Sequence, residues 1–452
     1  MKRVLLVMAQ PPGSSGVQGL IYNKILPYLE GHGWEFHFAG PSPELSSVLC
    51  EQLTYPSERL HYTTKVSLSR QFAVRKNRRE RGSLVYYFYG VCQLLFRSIE
   101  HLFGHDSNDY LIKGLQQQII SADRRWNYEL IAGKSPDFRI LDAVGSLVQE
   151  MNKPFVAMVV DPHGHRDATG FHPADPKRQT ELLAQCCGAM FMSPLTRERY
   201  ILTGMISEVK AYAFTDSYPI DATLYIAGRS VLTGEPDQCL VPARQLRIAH
   251  LGMLPPWRPV ETLFEAVRAY ITDSPSVSME FNFFGYVYPE ALEMMQCDPL
   301  LRTCFRSFPA VDYRQSHWVA EDADLQLVVI GPRHVDNQPS KFYEYLGHEK
   351  PVLVIGPPGN PIELLVQHLG IGIYADVGSM EAILSALRAL TTGLEIFRHA
   401  YRVRHEEIKQ YSAPRIAEQW CRTLDSISSY AQSYSPSDVS LSDVVFRLDD
   451  LK

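Results

Sequence analysis

The stretch that decides the fold opens with Val4-Leu-Leu-Val-Met-Ala9 and Gln10-Pro-Pro-Gly13. It continues through Gly19–Glu30 and Gly31-His-Gly33 to Trp34-Glu-Phe-His-Phe-Ala39. A short apolar run stopped by turn residues reads as a buried strand. Leu20, Ile21, Ile25 and Leu29 recur near helical spacing, and a second strand follows the glycines. Strand, helix, strand in this order is a βαβ unit, which requires a parallel sheet covered by helices. Met1-Lys-Arg3 ahead of the run resembles the start of a signal peptide, but six apolar residues before Gln10 are too few for its hydrophobic region.

The alternation continues outward. Pro154–Val160, Ala189–Met192 and Lys210–Phe214 read as strands. A second series has strands at Leu246–Leu251, Met279–Phe284, Leu325–Ile330 and Pro351–Ile355, with helices at Val260–Ile271, Ser340–Gly347 and Pro361–Leu369. The last helix carries Asn360 as N-cap, Pro361 at its first position and Glu363 to close a capping box. The stretch 234–243 reads as a linker. The expected organisation is a first α/β domain over 1–233, a linker over 234–245, a second α/β domain over 246–425 and a flexible tail over 426–452. Two doubly wound, Rossmann-like domains facing a cleft are implied, and ligands of open parallel sheets bind beyond the carboxyl ends of the strands.

Composition narrows the partners. The chain has 452 residues, 44 basic and 50 acidic side chains and a formal charge of −6. The absence of an overall basic field argues against nucleic acid. A hydrophobic share of 45% excludes a disordered chain. No stretch reaches the roughly 18 uninterrupted apolar residues of a spanning helix. Eight cysteines, two of them the adjacent Cys186 and Cys187, include no C-x-x-C, which points to reduced thiols in the cytoplasm.

The richest chemistry lies in Asp336-Asn-Gln-Pro-Ser340-Lys341-Phe-Tyr-Glu344-Tyr-Leu346, followed by Lys350-Pro-Val352. A helix opening near Ser340 points amide groups and partial positive charge outward, which suits a diphosphate. Lys341 and Glu344 share a helix face, so one suits a phosphate and the other a ribose diol. The same pair also fits a plain surface ion pair on an amphipathic helix, with Phe342 and Leu346 in the core. This segment resembles the nucleotide site of the retaining glycosyltransferases of the GT-B fold, family 4. Their E-x7-E motif places its second glutamate at Glu344, and here Asp336 occupies the first position. Upstream, Arg247-Ile-Ala-His-Leu-Gly252-Met253 through Arg258 to Ala266 is similar to the family's G-R-L loop and K-G helix start. Arg258 takes the lysine position. Met253 stands where an arginine is expected, leaving one cationic contact fewer unless Arg333 or Lys341 supplies it. Gln10–Val17 looks like the family's P-P-x-x-G-G loop, with Gly16 near the donor but Val17 in place of the second glycine.

The resemblance implies a hexosyltransferase that moves a sugar with retention from a nucleotide diphosphate sugar, with cations doing a metal's work and no cofactor. It implies Arg258, Ser340, Lys341, Glu344 and Gly16 as donor contacts and Asp336 as the group orienting the sugar. Asp161 and His163, just after a strand, are assigned to substrate. The stretch Asp161-Pro-His163-Gly-His165 also fits simple turn chemistry or, with Asp167, a metal site. Trp126 reads as a core anchor, and Ser193 and Thr196 as a helix cap. Arg70–Arg81 holds six basic residues and Glu80, and the aromatic stretch to Phe96 follows directly. It reads either as a solvated charge run before a buried helix or as an interfacial segment for anionic lipid. On the second reading the protein is peripheral at the inner membrane face, and its acceptor is lipid-linked or a cell-surface polysaccharide precursor. Two alternatives stay open: a nucleotide-sugar 2-epimerase of the same fold, and a non-catalytic binding subunit.

Overall fold

The computed structural model describes residues 1–12, 17–42, 55–77, 79, 83–102, 109–135, 138–160, 176–219, 246–274 and 278–433. Gly16, Asp161, His163 and the expected linker fall outside them. The chain divides into two compact units, 1–215 with 416–452, and 216–415.

The first unit contains β1 (Lys2–Val7), α1 (Val17–Leu29), β2 (Trp34–Pro41), β3 (Leu60–Thr63), α2 (Leu68–Asn77), α3 (Leu84–Leu102), α4 (Asp109–Trp126) and β4 (Leu130–Lys134). It continues with α5 (Phe138–Glu150), β5 (Phe155–Val159), α6 (Pro176–Gln185), β6 (Gly188–Phe191), α7 (Pro194–Leu202) and β7 (Ala211–Ala213). The seven strands lie in the order β3-β2-β1-β4-β5-β6-β7, every pair parallel. β1, β4 and β5 run through the middle as near-continuous apolar strands, which is what a sheet covered on both faces demands. Ser193 caps α7 by accepting the Thr196 amide, as expected. Trp126 packs against the core of this unit and presents its face to Arg125 and Arg3.

The second unit contains β8 (Leu246–Leu251), α8 (Glu261–Asp273), β9 (Met279–Phe284), α9 (Pro289–Cys297), α10 (Pro299–Cys304), β10 (Phe305–Phe308), α11 (Tyr313–Asp322) and β11 (Leu325–Val329). Then follow α12 (Ser340–Leu346), β12 (Val352–Gly356), α13 (Pro361–Leu369), β13 (Gly372–Asp376), α14 (Met380–Val403) and the short α15 (His405–Ile408). Its parallel sheet has the order β10-β9-β8-β11-β12-β13. In both sheets the order reverses beside the first strand, so each has a topological switch point, between β1 and β4 and between β8 and β11.

The final helix, α16 (Ala413–Ser433), corrects the expected boundaries. A second domain ending at 425 and a loose tail from 426 would cut it in two. Its residues from Ile416 onward count with the first unit. Trp420 packs edge-on against Tyr22 and Phe214, Asp425 accepts from Lys2 and from the Trp34 indole, and Ile427 is fully buried against Gly188. Burial of these apolar side chains holds the helix through Ser433, where serine-rich composition alone reads as tail.

Candidate anion site at the second switch point

The exits of β8, β9 and β11 crowd backbone against backbone. Gly252 has φ +110°, and a Cβ there would lie 3.0 Å from the Lys341 ammonium. A Cβ on Gly331 would lie 1.9 Å from the Trp257 carbonyl oxygen, so no side chain fits between these two loops. The loop after β8 stays tied to that after β9 through Gly252 N–H to Phe284 (2.8 Å) and Leu254 N–H to Tyr286 (2.7 Å).

His250, fully buried on β8, faces this junction. Its Nδ1 lies 3.0 Å from the Leu327 carbonyl of β11, which accepts only, so Nδ1 carries the proton. Nε2 is then an acceptor, and the Lys341 ammonium donates to it at 3.2 Å. Burial and the neighbouring Lys341 charge push the proton affinity of His250 well below its ordinary value. Burial, and then the Arg258 guanidinium, do the same to Lys341, while the Glu344 carboxylate opposes them in part. His250 went unread in the sequence because one histidine in an apolar strand looks like a core residue; only the fold brings Lys341 to it.

Of the other expected donor contacts, Arg258 and Glu344 act on the Lys341 charge, and Ser340 precedes it on α12. Arg258 is half-buried and donates to the Met253 carbonyl at 3.4 Å. Met253 itself is 62% exposed, and Arg333 is also exposed. Ser340 and Glu344 are half-buried on α12, whose Tyr345 reaches back to accept the Leu251 amide at 3.1 Å. Asp336 is 2% exposed, in the loop between β11 and α12. Asn360 shapes that loop: its Nδ2 donates to the carbonyls of His334, Val335 and Asn337 at 3.3, 2.8 and 2.9 Å. Its Oδ1 accepts the Ile362 amide, so it also caps α13 as the sequence indicates. The capping box differs by one residue: Glu363 accepts from the Gly359 amide at 2.7 Å instead of from Asn360.

At the first unit's switch point Lys134, fully buried at the end of β4, holds its ammonium 4.4 Å over the Tyr22 ring. A lone lysine ending the short run Leu130-Ile-Ala-Gly-Lys134 carries no motif that singles it out in the sequence. Among the described residues no group of three or more His, Cys, Asp or Glu is placed to hold a metal ion.

Three bases, His250, Lys341 and Arg258, with Glu344 the carboxylate acting on Lys341, therefore meet where the strand order reverses. Such a junction favours an anion. No family profile and no curated protein matches the chain. Solved structures do. Trehalose 6-phosphate synthase from Burkholderia multivorans shares 13% identity over 95% of this chain and 100% of its own, with a TM-score of 0.62. HepE from Anabaena, solved with UDP, shares 13% identity over 94% and 100%, with a TM-score of 0.56. UDP-GlcNAc 2-epimerase from Neisseria meningitidis, solved with UDP-GlcNAc, shares 9% identity over 94% and 99%, with a TM-score of 0.51. At these identities the likeness is one of fold: two Rossmann-like α/β domains in the GT-B architecture.

Proposed function

We propose that the chain is a glycosyltransferase that takes a sugar from a nucleotide diphosphate sugar, with the diphosphate seated on Lys341 and Arg258. The observation that carries this is the Lys341–His250 contact at the β8/β11 switch point, where an ammonium is half-buried beside another base and a guanidinium. An entering diphosphate restores the proton affinity of Lys341 and offsets the cost of burying it. Ser340 adds a hydroxyl beside that lysine, Glu344 accepts from the ribose diol, and Asp336 orients the sugar.

In the transfer the anomeric C–O bond breaks and its electron pair stays on the diphosphate. Lys341 and Arg258 stabilise that charge as it forms, which needs no metal. The acceptor hydroxyl attacks from the same face, retaining configuration, and its proton passes to the departing phosphate oxygen. Asp161 and His163 are assigned to the substrates, and Gly16 to close approach of the donor. A lipid-linked or polysaccharide acceptor suits this scheme.

The likeness to an epimerase of the same architecture favours 2-epimerisation as the second reading. Incubation with a panel of nucleotide diphosphate sugars separates the two. Release of nucleoside diphosphate with transfer or slow hydrolysis is the expected result. Interconversion of sugar epimers would move the assignment to the epimerase. Nucleotide binding without any turnover would leave a non-catalytic subunit.

A further inference from the structure

The paired helices α2 and α3 are built inside out. Along α3 the exposed residues include Leu84, Tyr87, Phe88, Val91, Leu94 and Leu95, a stripe at helical spacing that faces away from the protein; Leu84 is 88% exposed and Val91 66%. The half-buried face meets α2 through a seam that is partly polar. Phe72 stacks on Phe96 at 5.3 Å, Lys76 donates to Gln93 at 3.2 Å, and Ser69 donates to Glu100 through its amide at 3.1 Å and its hydroxyl at 2.5 Å. An amphipathic helix of a globular protein normally turns its apolar stripe inward. Here the polar contacts are spent inside, and a contiguous apolar surface is left outside.

Charge identifies what covers it. Arg70, Arg75, Lys76 and Arg79 lie on or directly after α2, and Arg97 lies on α3; Arg75, Arg79 and Arg97 are exposed. This concentration stands in a chain whose formal charge is −6. Two copies packed stripe to stripe would bring these cations together, which like-charge repulsion opposes. An anionic lipid surface complements them, and the Tyr and Phe rings suit the boundary between headgroups and acyl chains. No helix among the described residues is long and apolar enough to cross a membrane, so the geometry is one of lying on the surface.

We propose that the outward face of α3, flanked by the cations of α2, docks the protein on an anionic lipid bilayer with α3 in the plane of the interface. The inference goes beyond sugar transfer and stands without it. Flotation of the full chain with vesicles of phosphatidylcholine alone, and of phosphatidylcholine with an equal part of phosphatidylglycerol, tests it. The expected result is binding to the second vesicle only. Replacing Arg75→Ala and Arg79→Ala together should weaken that binding roughly 25-fold, at about 1 kcal/mol per basic residue near the surface. Phe88→Asp with Leu94→Asp should abolish it. All four side chains are exposed, so an unchanged melting temperature and unchanged nucleoside diphosphate binding are expected alongside. Absence of binding to anionic vesicles would overturn the proposal, as would binding indifferent to Phe88→Asp with Leu94→Asp. A dimer in solution that these two substitutions dissociate would assign the face to a second copy instead.

Discussion

The molecule buries histidines in two different kinds of setting. In the first unit Glu35 accepts from His37 at 2.7 Å, His37 meets His61 at 3.2 Å, and the Tyr128 hydroxyl touches both rings at 2.9 and 3.0 Å. In the second unit Glu321 meets His348 at 2.7 Å and His348 meets His317 at 2.9 Å. Both chains contain a carboxylate. The Glu35 chain sits in the amino-terminal part of β2 and on β3, and the Glu321 chain joins α11 to the turn that feeds β12. His250, at the carboxyl end of β8, has an ammonium for its neighbour. A buried base beside a carboxylate is satisfied within the fold. A buried base beside another cation is an unfavourable arrangement, which the anionic ligand proposed for the switch point would relieve.

The sharpest way to break this contrast is Lys341→Met. Removing the ammonium should raise the dissociation constant for the nucleoside diphosphate by about 10- to 150-fold, the equivalent of ~1.5–3 kcal/mol for a charge-assisted contact. The melting temperature should hold or rise, because a half-buried amine next to a histidine has gone. Glu321→Ala should do the reverse, costing about 1–3 kcal/mol of stability by leaving His348 without its acceptor while leaving the dissociation constant alone. Titration calorimetry and thermal melts on both variants check this. A Lys341→Met protein that binds normally and melts early would place Lys341 among the structural groups.

Acid and alkali should act on the two settings with opposite sign. Burial lowers the proton affinity of His61 to about 4 and also lowers that of His37, against the pull of Glu35. Between about pH 6.5 and 4 the unfolded chain takes up protons that the folded one refuses, so stability falls as pH drops through that window. The loss should be roughly 1–2 kcal/mol for His61, less than its full shift implies because its ring is half-buried. His61→Phe should flatten that part of the profile. At the switch point an anion raises the depressed proton affinity of Lys341, so binding takes up protons and the affinity falls as pH rises past the ligand-free value. Calorimetry in buffers of different ionisation enthalpy reads the uptake. Proton release on binding would contradict it.

The legible parts of the fold are those whose apolar periodicity is regular, such as the alternation in Met279–Phe284 and the helical spacing in Pro361–Leu369. Leu246–Leu251, Met279–Phe284 and Pro361–Leu369 have the bounds that their apolar pattern indicates. β3, β10 and β13 escaped notice as edge strands of mixed sequence: Phe305-Arg-Ser-Phe308 leaves its arginine and serine exposed, and His61 sits within β3; β4 escaped although central and buried, because Leu130-Ile-Ala-Gly-Lys134 is a short run broken by a glycine and a lysine. α16 escaped because its apolar side chains are completed by Tyr22 and Phe214, far away in sequence. At the site, Lys341, Glu344 and Arg258 were legible through motif spacing. His250 was not, since its role comes from a partner 91 residues away. The sequence of Asn360 and Pro361 shows a cap, but the three contacts of Asn360 to the loop at His334, Val335 and Asn337 come only with the fold.

Asn360 supplies the smallest test and separates shape from charge at the same site. It bears no charge, yet it holds the loop that carries Asp336 and leads into Ser340 and Lys341. Asn360→Ala removes one amide acceptor at the cap of α13 and the donor to three carbonyls, with an expected cost of about 1–2 kcal/mol in stability. Because the cations themselves stay, nucleoside diphosphate affinity should drop only a few-fold. Its dependence on salt and pH should keep the form of the parent protein. Asn360→Asp is the finer variant: it retains the acceptor for Ile362 but loses the donors to the loop, so it should recover the cap's share of stability without recovering affinity. If both variants matched the parent in affinity while losing stability, the loop would be shaped by its own turns, and the contrast between the two kinds of buried base would rest on Lys341 and His250 alone.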